Sequence, residues 1–280
     1  MRTISLSIAA IAVTALSTTA AFADSITDRV AAGEPIRIGF ANEVPWAYPG
    51  EDNAPLGFVN AFALGVLDHM GIDNIEPVVT EWGGLIPGLQ AGRFDIITGG
   101  MYILGTRCEN VNFAEPMGIF GDAFIVPAGN PDGIETFEDL VENEDAIFVT
   151  GAGYNQVEYA LSVGVPDDRI LQVPGPTEIL AAVRAGRANA GGVTYFTALN
   201  LAEQSGGEVE VTDPTLMPEE TMYWVGIAFR QSDTDFLAEW NAAQAEYLGS
   251  EAMMEAVAEY GYTESQLPGD TTTEYACANR

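Results

Sequence analysis

A strand–helix alternation that runs through the chain twice is the feature that most restricts its fold. Residues 36–40 (Ile-Arg-Ile-Gly-Phe) read as a short strand that runs into a loop, residues 42–57, rich in Pro, Asn, Asp and aromatics. Residues 58–70 have helical periodicity and stop at Gly71; residues 75–80 are a strand, 85–91 a helix ended by Gly92, and 94–98 a strand. After the turn signal Asn130-Pro131-Asp132-Gly133 the cycle repeats, with strands at 146–150, 170–173 and 188–193 and helices between them. A further strand at 222–229 leads back into two helices, 233–247 and 250–260. Such alternation demands a mainly parallel sheet flanked by helices, because parallel neighbours need a crossover between them. The expected fold class is α/β in two lobes. Residues 24–127 and 229–280 form the first, residues 128–228 the second, and the crossings lie near 126–130 and 223–230. A cleft between lobes joined this way is where a ligand and hinge closure belong.

The first 23 residues stand apart. Arg2 supplies a positive end, residues 4–21 are largely apolar, and Ala21-Phe22-Ala23 fits the small-residue cleavage rule, so the mature chain is expected to start at Asp24. A membrane anchor is the competing reading of the same stretch. No later run approaches ~18 unbroken apolar residues. The expected product is an exported, periplasmic protein.

Charge narrows the partners. Forty-one acids face 10 bases, all of them Arg. That excess opposes binding to nucleic acid or an anionic membrane. Acids scattered along the whole chain read as a solvated surface suited to a salty habitat, where a Debye length of ~8 Å or less blunts self-repulsion. Two cysteines, Cys108 and Cys277, in an exported chain suggest one disulfide, with two free buried thiols as the alternative. Closing so long a loop contributes roughly 4–5 kcal/mol in the chain-entropy picture. A metal pair is disfavoured, since His69 is the only histidine and sits on an amphipathic helix where a structural role is expected. No cofactor is expected.

The stretch Gly84-Leu85-Ile86-Pro87-Gly88-Leu89-Gln90-Ala91-Gly92-Arg93-Phe94-Asp95 resembles the L-I-P-x-L-x-x-G-x-x-D signature of the amino-acid-type solute-binding proteins of ABC importers. Thr106-Arg107 follows at the family's distance, then Val111-Asn112-Phe113-Ala114-Glu115-Pro116, and Glu178-Ile179-Leu180 through Gly186-Arg187-Ala188-Asn189-Ala190 is similar to the second-lobe element. Within that family, Asn42-Glu43-Val44-Pro45-Trp46, Glu81-Trp82, Gly100-Met101-Tyr102 and Arg107-Cys108 with a late Cys277 look most like ectoine- and hydroxyectoine-binding proteins. The resemblance implies the type II periplasmic binding protein fold and a monomer that hands a small zwitterionic solute to an ABC permease in the inner membrane.

The chemistry of the residues agrees with that implication. Arg107 offers a planar, permanently charged fork that fits a carboxylate bidentately; a surface ion pair is the plainer reading. Trp46, Trp82 and Tyr102 stand in loops beyond strands, where ring faces attract a diffuse cation by ~0.5–2 kcal/mol each; core packing is the alternative for any one of them. Glu43 is positioned to accept from ring N–H groups, or is one more solvated acid. Gly151-Ala152-Gly153-Tyr154-Asn155 opens a helix whose free N–H groups suit an anion, with Gly153 and Asn155 as the expected contacts, or is a simple tight turn. Amino-acid binders place an Asp beyond the strand at 188–193 to hold the α-ammonium; here Thr194 stands in its stead, which disfavours a free α-amine. Two alternatives stay open: a polar amino-acid or betaine binder, and a cyclohexadienyl-dehydratase-like enzyme on the same fold, although no catalytic pair or metal spacing marks one.

Overall fold

A computed structural model describes residues 25–280, so the leader reading of residues 1–23 lies outside the described residues. From the N-terminal side, α1 (Ile26–Ala31) leads to β1 (Ile36–Phe40), followed by a small hairpin of β2 (Tyr48–Pro49) and β3 (Pro55–Leu56). Next come α2 (Phe58–His69), β4 (Ile75–Val79), α3 (Leu85–Gln90) and β5 (Ile96–Tyr102). The short α4 (Gly105–Cys108) and β6 (Asn112–Phe113) precede the long β7 (Gly118–Pro127). The second half alternates α5 (Phe137–Glu142), β8 (Phe148–Gly151), α6 (Asn155–Val163), β9 (Ile170–Val173) and α7 (Pro176–Arg184). It continues through β10 (Ala190–Thr194), α8 (Tyr195–Ser205) and β11 (Val209–Val211). The chain returns along β12 (Met222–Phe229) and finishes in α9 (Thr234–Tyr247), α10 (Glu251–Ala258) and α11 (Thr273–Asn279).

The strands lie in the order β4-β1-β5-β12-β7-β10-β8-β9. In the first lobe β1 pairs in parallel with β4 and β5; in the second, β8 pairs in parallel with β9 and β10. β12 is antiparallel to β5 and β7, and β10 to β7. The local sequence explains the layering. β5 reads Ile-Ile-Thr-Gly-Gly-Met-Tyr and is buried throughout, as a strand covered on both faces must be. On α2, Phe58, Val59, Phe62, Ala63, Val66 and Leu67 recur at helical spacing and are all buried. They pack with Trp240 of α9 and with Met253 and Val257 of α10, each such side chain contributing about 1.5–3 kcal/mol. At the end of α2, His69 meets Glu246 of α9 at 3.0 Å on the surface.

Two expectations need correction. The crossings lie earlier than at 126–130 and 223–230. Gly118–Gly121 of β7 pairs with β12, while Asp122–Ile125 of the same strand pairs with β10, so the chain changes lobe between Gly121 and Asp122. β12 pairs with the first lobe along its length and re-enters it at Met222. An apolar run through β7 carries no local break, so the polar turn at residues 130–133 drew the boundary downstream. The second correction concerns the strand expected at 94–98, with Tyr102 in a loop beyond it. β5 runs on to Tyr102, but two extra residues bulge out between Ile97 and Met101 relative to β12. Gly100 has φ +79° there, and a Cβ on it would stand 2.4 Å from the Trp46 ring, so both the conformation and the approach require glycine.

Cys108 of α4 and Cys277 of α11 are bridged across 169 residues. The C-terminal end is anchored beside them: Gly105 N donates to the Arg280 carbonyl at 2.8 Å, and the Arg280 guanidinium lies 5.0 Å from the centre of the Trp224 ring. Cys108→Ser with Cys277→Ser should lower unfolding stability by about 2–4 kcal/mol, read as a drop in the thermal midpoint that reductant reproduces in the wild type. An unchanged midpoint would mean that the native contacts of α11 already constrain the chain as tightly as the bridge.

Candidate functional site

The functional side chains converge where β1, β5 and the first turns of α6 and α8 face one another across the lobes. One cavity is lined by Glu43, Trp46, Trp82, Gly100, Tyr102, Arg107, Asn155 and Thr194, together with Gly99 and Tyr154. Eight of the nine residues singled out in the sequence therefore meet at one place, and the ninth, Gly153, reaches it through its carbonyl. The lobes are closed onto each other, leaving about 20 Å³, room for roughly one water.

Glu43 follows β1 and is held by a bridge with Ala47, each backbone N–H donating to the other's carbonyl at 2.8 and 3.0 Å. That turn sends Trp46 inward. Its ring is 2% exposed and packs against Phe120 at 4.6 Å, Phe58 at 4.7 Å and, edge-on, Tyr102 at 6.1 Å. Its indole Nε1 donates to Thr194 Oγ1 at 2.8 Å, linking first lobe to second. Trp82 stands edge-on to Tyr154 at 5.4 Å and donates to the Gly153 carbonyl at 3.1 Å.

Arg107 projects from the one-turn α4, which the Cys108 bridge fixes from the next position. Its guanidinium is buried, donates to the Tyr102 carbonyl at 3.0 Å and the Gly153 carbonyl at 3.1 Å, and lies 5.6 Å from the Trp82 ring centre. Burial lowers its pKa to about 10, with Glu158 pulling the other way, so it stays charged at neutral pH. The ion pairs among the described residues engage Arg29, Arg37, His69, Arg184 and Arg230, and none engages Arg107. A desolvated cation whose direct contacts are neutral acceptors and a ring face gains most from an anionic ligand group.

Glu43 supplies the opposite sign. It is buried and accepts from Tyr154 Oη and Thr197 Oγ1, both at 2.7 Å and both from the second lobe. Burial pushes its carboxyl above the ordinary range, while the two hydroxyls pull it back. A second carboxyl, Asp122, lies just behind the lining and accepts from Asn155 Nδ2 at 2.8 Å and Tyr102 Oη at 3.4 Å.

Two sequence readings differ from this geometry. The loop before α6 was expected to offer N–H donors; at Gly153 it is the carbonyl that faces Trp82 and Arg107, because φ +79° turns the peptide over. Thr194 also proves to have a structural part, capping α8 by accepting from Thr197 N at 3.3 Å. Sequence reasoning passed over Tyr154, Thr197 and Asp122. Asp122 left a readable signal, being the single charge in the apolar run Gly118–Pro127. Thr197 left none, since a hydroxyl in a helix's first turn is ordinary.

Comparison with known proteins decides the class. The model for bacterial extracellular solute-binding proteins, family 3, matches residues 36–262. This chain belongs to that family. The probable amino-acid ABC transporter periplasmic-binding protein y4tE of Sinorhizobium fredii is 32% identical over 252 residues, covering 87% of this chain and 83% of that protein. The L-cystine-binding protein TcyJ of Escherichia coli is 28% identical over 209 residues, or 72% of this chain and 73% of that one. Among solved structures, EhuB in complex with hydroxyectoine superposes with a TM-score of 0.82 at 28% identity, covering 90% of this chain and 98% of EhuB. The family's fold is the two-lobe periplasmic binding protein architecture seen here. The relatives matched here are binding proteins of ABC transporters rather than enzymes, and such proteins take up small solutes and deliver them to permeases in the inner membrane.

Proposed function

We propose that this protein captures ectoine, hydroxyectoine or a similar zwitterionic compatible solute in the periplasm and delivers it to its permease. The observation that carries the reading is the pairing, in one closed cleft, of a buried guanidinium without an acid partner and a buried carboxyl, with Trp46, Trp82 and Tyr102 around them. In this reading Arg107 takes the solute's carboxylate bidentately. The faces of the three rings hold its delocalised cationic half, and Glu43 accepts from the ring N–H groups. Gly100 provides the close approach of the strand, while Gly153, Asn155 and Thr194 close from the second lobe. The likeness to EhuB supports the ligand class. Thr194 at the end of β10 supports it as well, because no acid stands there to bind an α-ammonium. Cleavage after Ala23 would release a monomer, exported and without affinity for nucleic acid.

Closure follows from contacts to both lobes. Solute groups replace the direct links between Trp46 and Thr194 and between Arg107 and Gly153, and the gain in free energy over those links sets the shift toward the closed form. Parallel calorimetric titrations with ectoine, hydroxyectoine, glycine betaine, proline and glutamine test the reading. Ectoine or hydroxyectoine should bind at least about tenfold more tightly than the others, a gap of ~1.4 kcal/mol. Tighter binding of glutamine or glycine betaine would reassign the site to a different solute.

A further inference from the structure

We propose that Asp122 is a proton-binding latch at the lobe crossing, a positioning residue whose neutral acid links Tyr102 of the first lobe to Asn155 of the second, so that closing on solute takes up a proton there. The proposal rests on the zwitterion reading only for its choice of probe. Asp122 is the first residue of β7 on the second-lobe side, paired in register with Thr194. It is fully buried, yet it borders a cavity of about 450 Å³ on the hinge side, formed with Phe120, Tyr195, Met217 and Met222 among others. Asp122 thus stands between the solute cleft and a separate cavity, its carboxyl meeting Tyr102 and Asn155 on the cleft side.

The groups facing it are mostly neutral. Tyr102 of β5 and Tyr223 of β12 approach from the first lobe, Asn155 and Gln156 from α6, and Arg107 of α4 is the one charged group of opposite sign. The Gln156 amide completes no hydrogen bond of its own. A carboxylate in that setting has one short hydrogen bond, from Asn155, and one long one, from Tyr102, and burial raises its pKa to about 8 despite both and despite Arg107. In the neutral acid the proton sits on Oδ1 and the hydrogen bond with Tyr102 reverses, the acid donating to the Tyr102 hydroxyl, while Oδ2 remains the acceptor for Asn155. Because Nδ2 of Asn155 is committed to Asp122, the latch also fixes which edge of that amide the solute meets.

The sign follows from linkage. When the lobes part, Tyr102 moves away and water reaches the carboxyl, whose pKa drops toward the ordinary 3.8. Between that value and about 8 the closed form holds one more proton, so affinity falls as pH rises through this window and levels above it, by up to about tenfold per unit. Glu43 also titrates on closure, so the readout is a difference between wild type and Asp122→Asn, a neutral isostere.

Calorimetry with ectoine at pH 7, in buffers of unlike ionisation enthalpy, gives the protons taken up. Wild type minus Asp122→Asn should come to about one proton per solute, and the variant, which needs no proton to close, should lose the steep decline and bind more tightly than wild type by a factor that grows with pH, by up to about tenfold per unit, between pH 6 and pH 8. A difference near zero overturns the latch while leaving the solute reading intact. Should ectoine not bind, that reading fails and the latch is judged with whichever of hydroxyectoine, glycine betaine, proline or glutamine does bind: infrared titration of the closed, occupied wild type should show a protonated-acid carbonyl band that disappears near pH 8 and is missing both from the open, empty protein and from Asp122→Asn. Its absence from the wild type overturns the proposal.

Discussion

Arg107→Ala should weaken binding of the preferred solute by at least two orders of magnitude while the protein still folds. The guanidinium is buried, and its present acceptors are two backbone carbonyls. A solute carboxylate would replace these neutral acceptors with an anionic one at the same N–H groups. Truncating one partner of such a desolvated pair costs about 3–5 kcal/mol, because the carboxylate is then buried without its counter-charge. That range corresponds to roughly 150- to 4,000-fold in Kd. Arg107→Lys keeps the charge but not the fork, and should fall between wild type and Ala. Folding is a separate matter: the alanine removes a charge that has no acid partner among the described residues, so circular dichroism should show native secondary structure. A Kd for Arg107→Ala within tenfold of wild type would take the carboxylate away from this residue.

Much of this site could be read from residue types because its members stand just beyond strand ends. Trp46, Trp82 and Arg107 follow β1, β4 and β5 closely, Tyr102 is the last residue of β5, and a parallel sheet gathers its strand ends at one edge whatever its register. β1 itself was legible to the residue, since Ile36–Phe40 is bounded by Pro35 and by a polar loop. What stayed hidden depends on distance through space. Nothing local tells that Tyr154 will meet Glu43 across 111 residues, or Thr197 across 154. The lobe change between Gly121 and Asp122 is a change of pairing partner inside one strand, and an apolar run does not record which neighbour it pairs with. The direction of the Gly153 carbonyl depends on a single positive φ, which glycine permits but does not announce.

Glu43→Ala should have the second largest effect on binding, and Glu43→Gln separates its two parts. The carboxyl clasps the lobes through Tyr154 and Thr197, and in the proposed complex it also balances the solute's cationic half. Alanine removes both, leaving two buried hydroxyls without their acceptor at about 1–3 kcal/mol each, so binding should weaken by about two orders of magnitude. Glutamine keeps one acceptor oxygen and the shape of the clasp but lacks the charge. For a solute with a delocalised cation, Glu43→Gln should therefore lose at least about tenfold, whereas a neutral polyol of similar size would be nearly indifferent to it. The pH dependence carries the same information with a definite sign. Burial raises the Glu43 carboxyl above the ordinary range, and a cationic partner in the cleft favours its ionised form. Relative to the closed, empty cleft, the bound cation then releases a proton from Glu43, and its hold strengthens as pH rises through that raised window. In an Asp122→Asn background the opposing slope is removed, and the affinity should climb with pH where Glu43 titrates. A flat profile there, with no loss in Glu43→Gln, would mean that the solute's cationic half faces the rings alone and that Glu43 serves only to hold the lobes together.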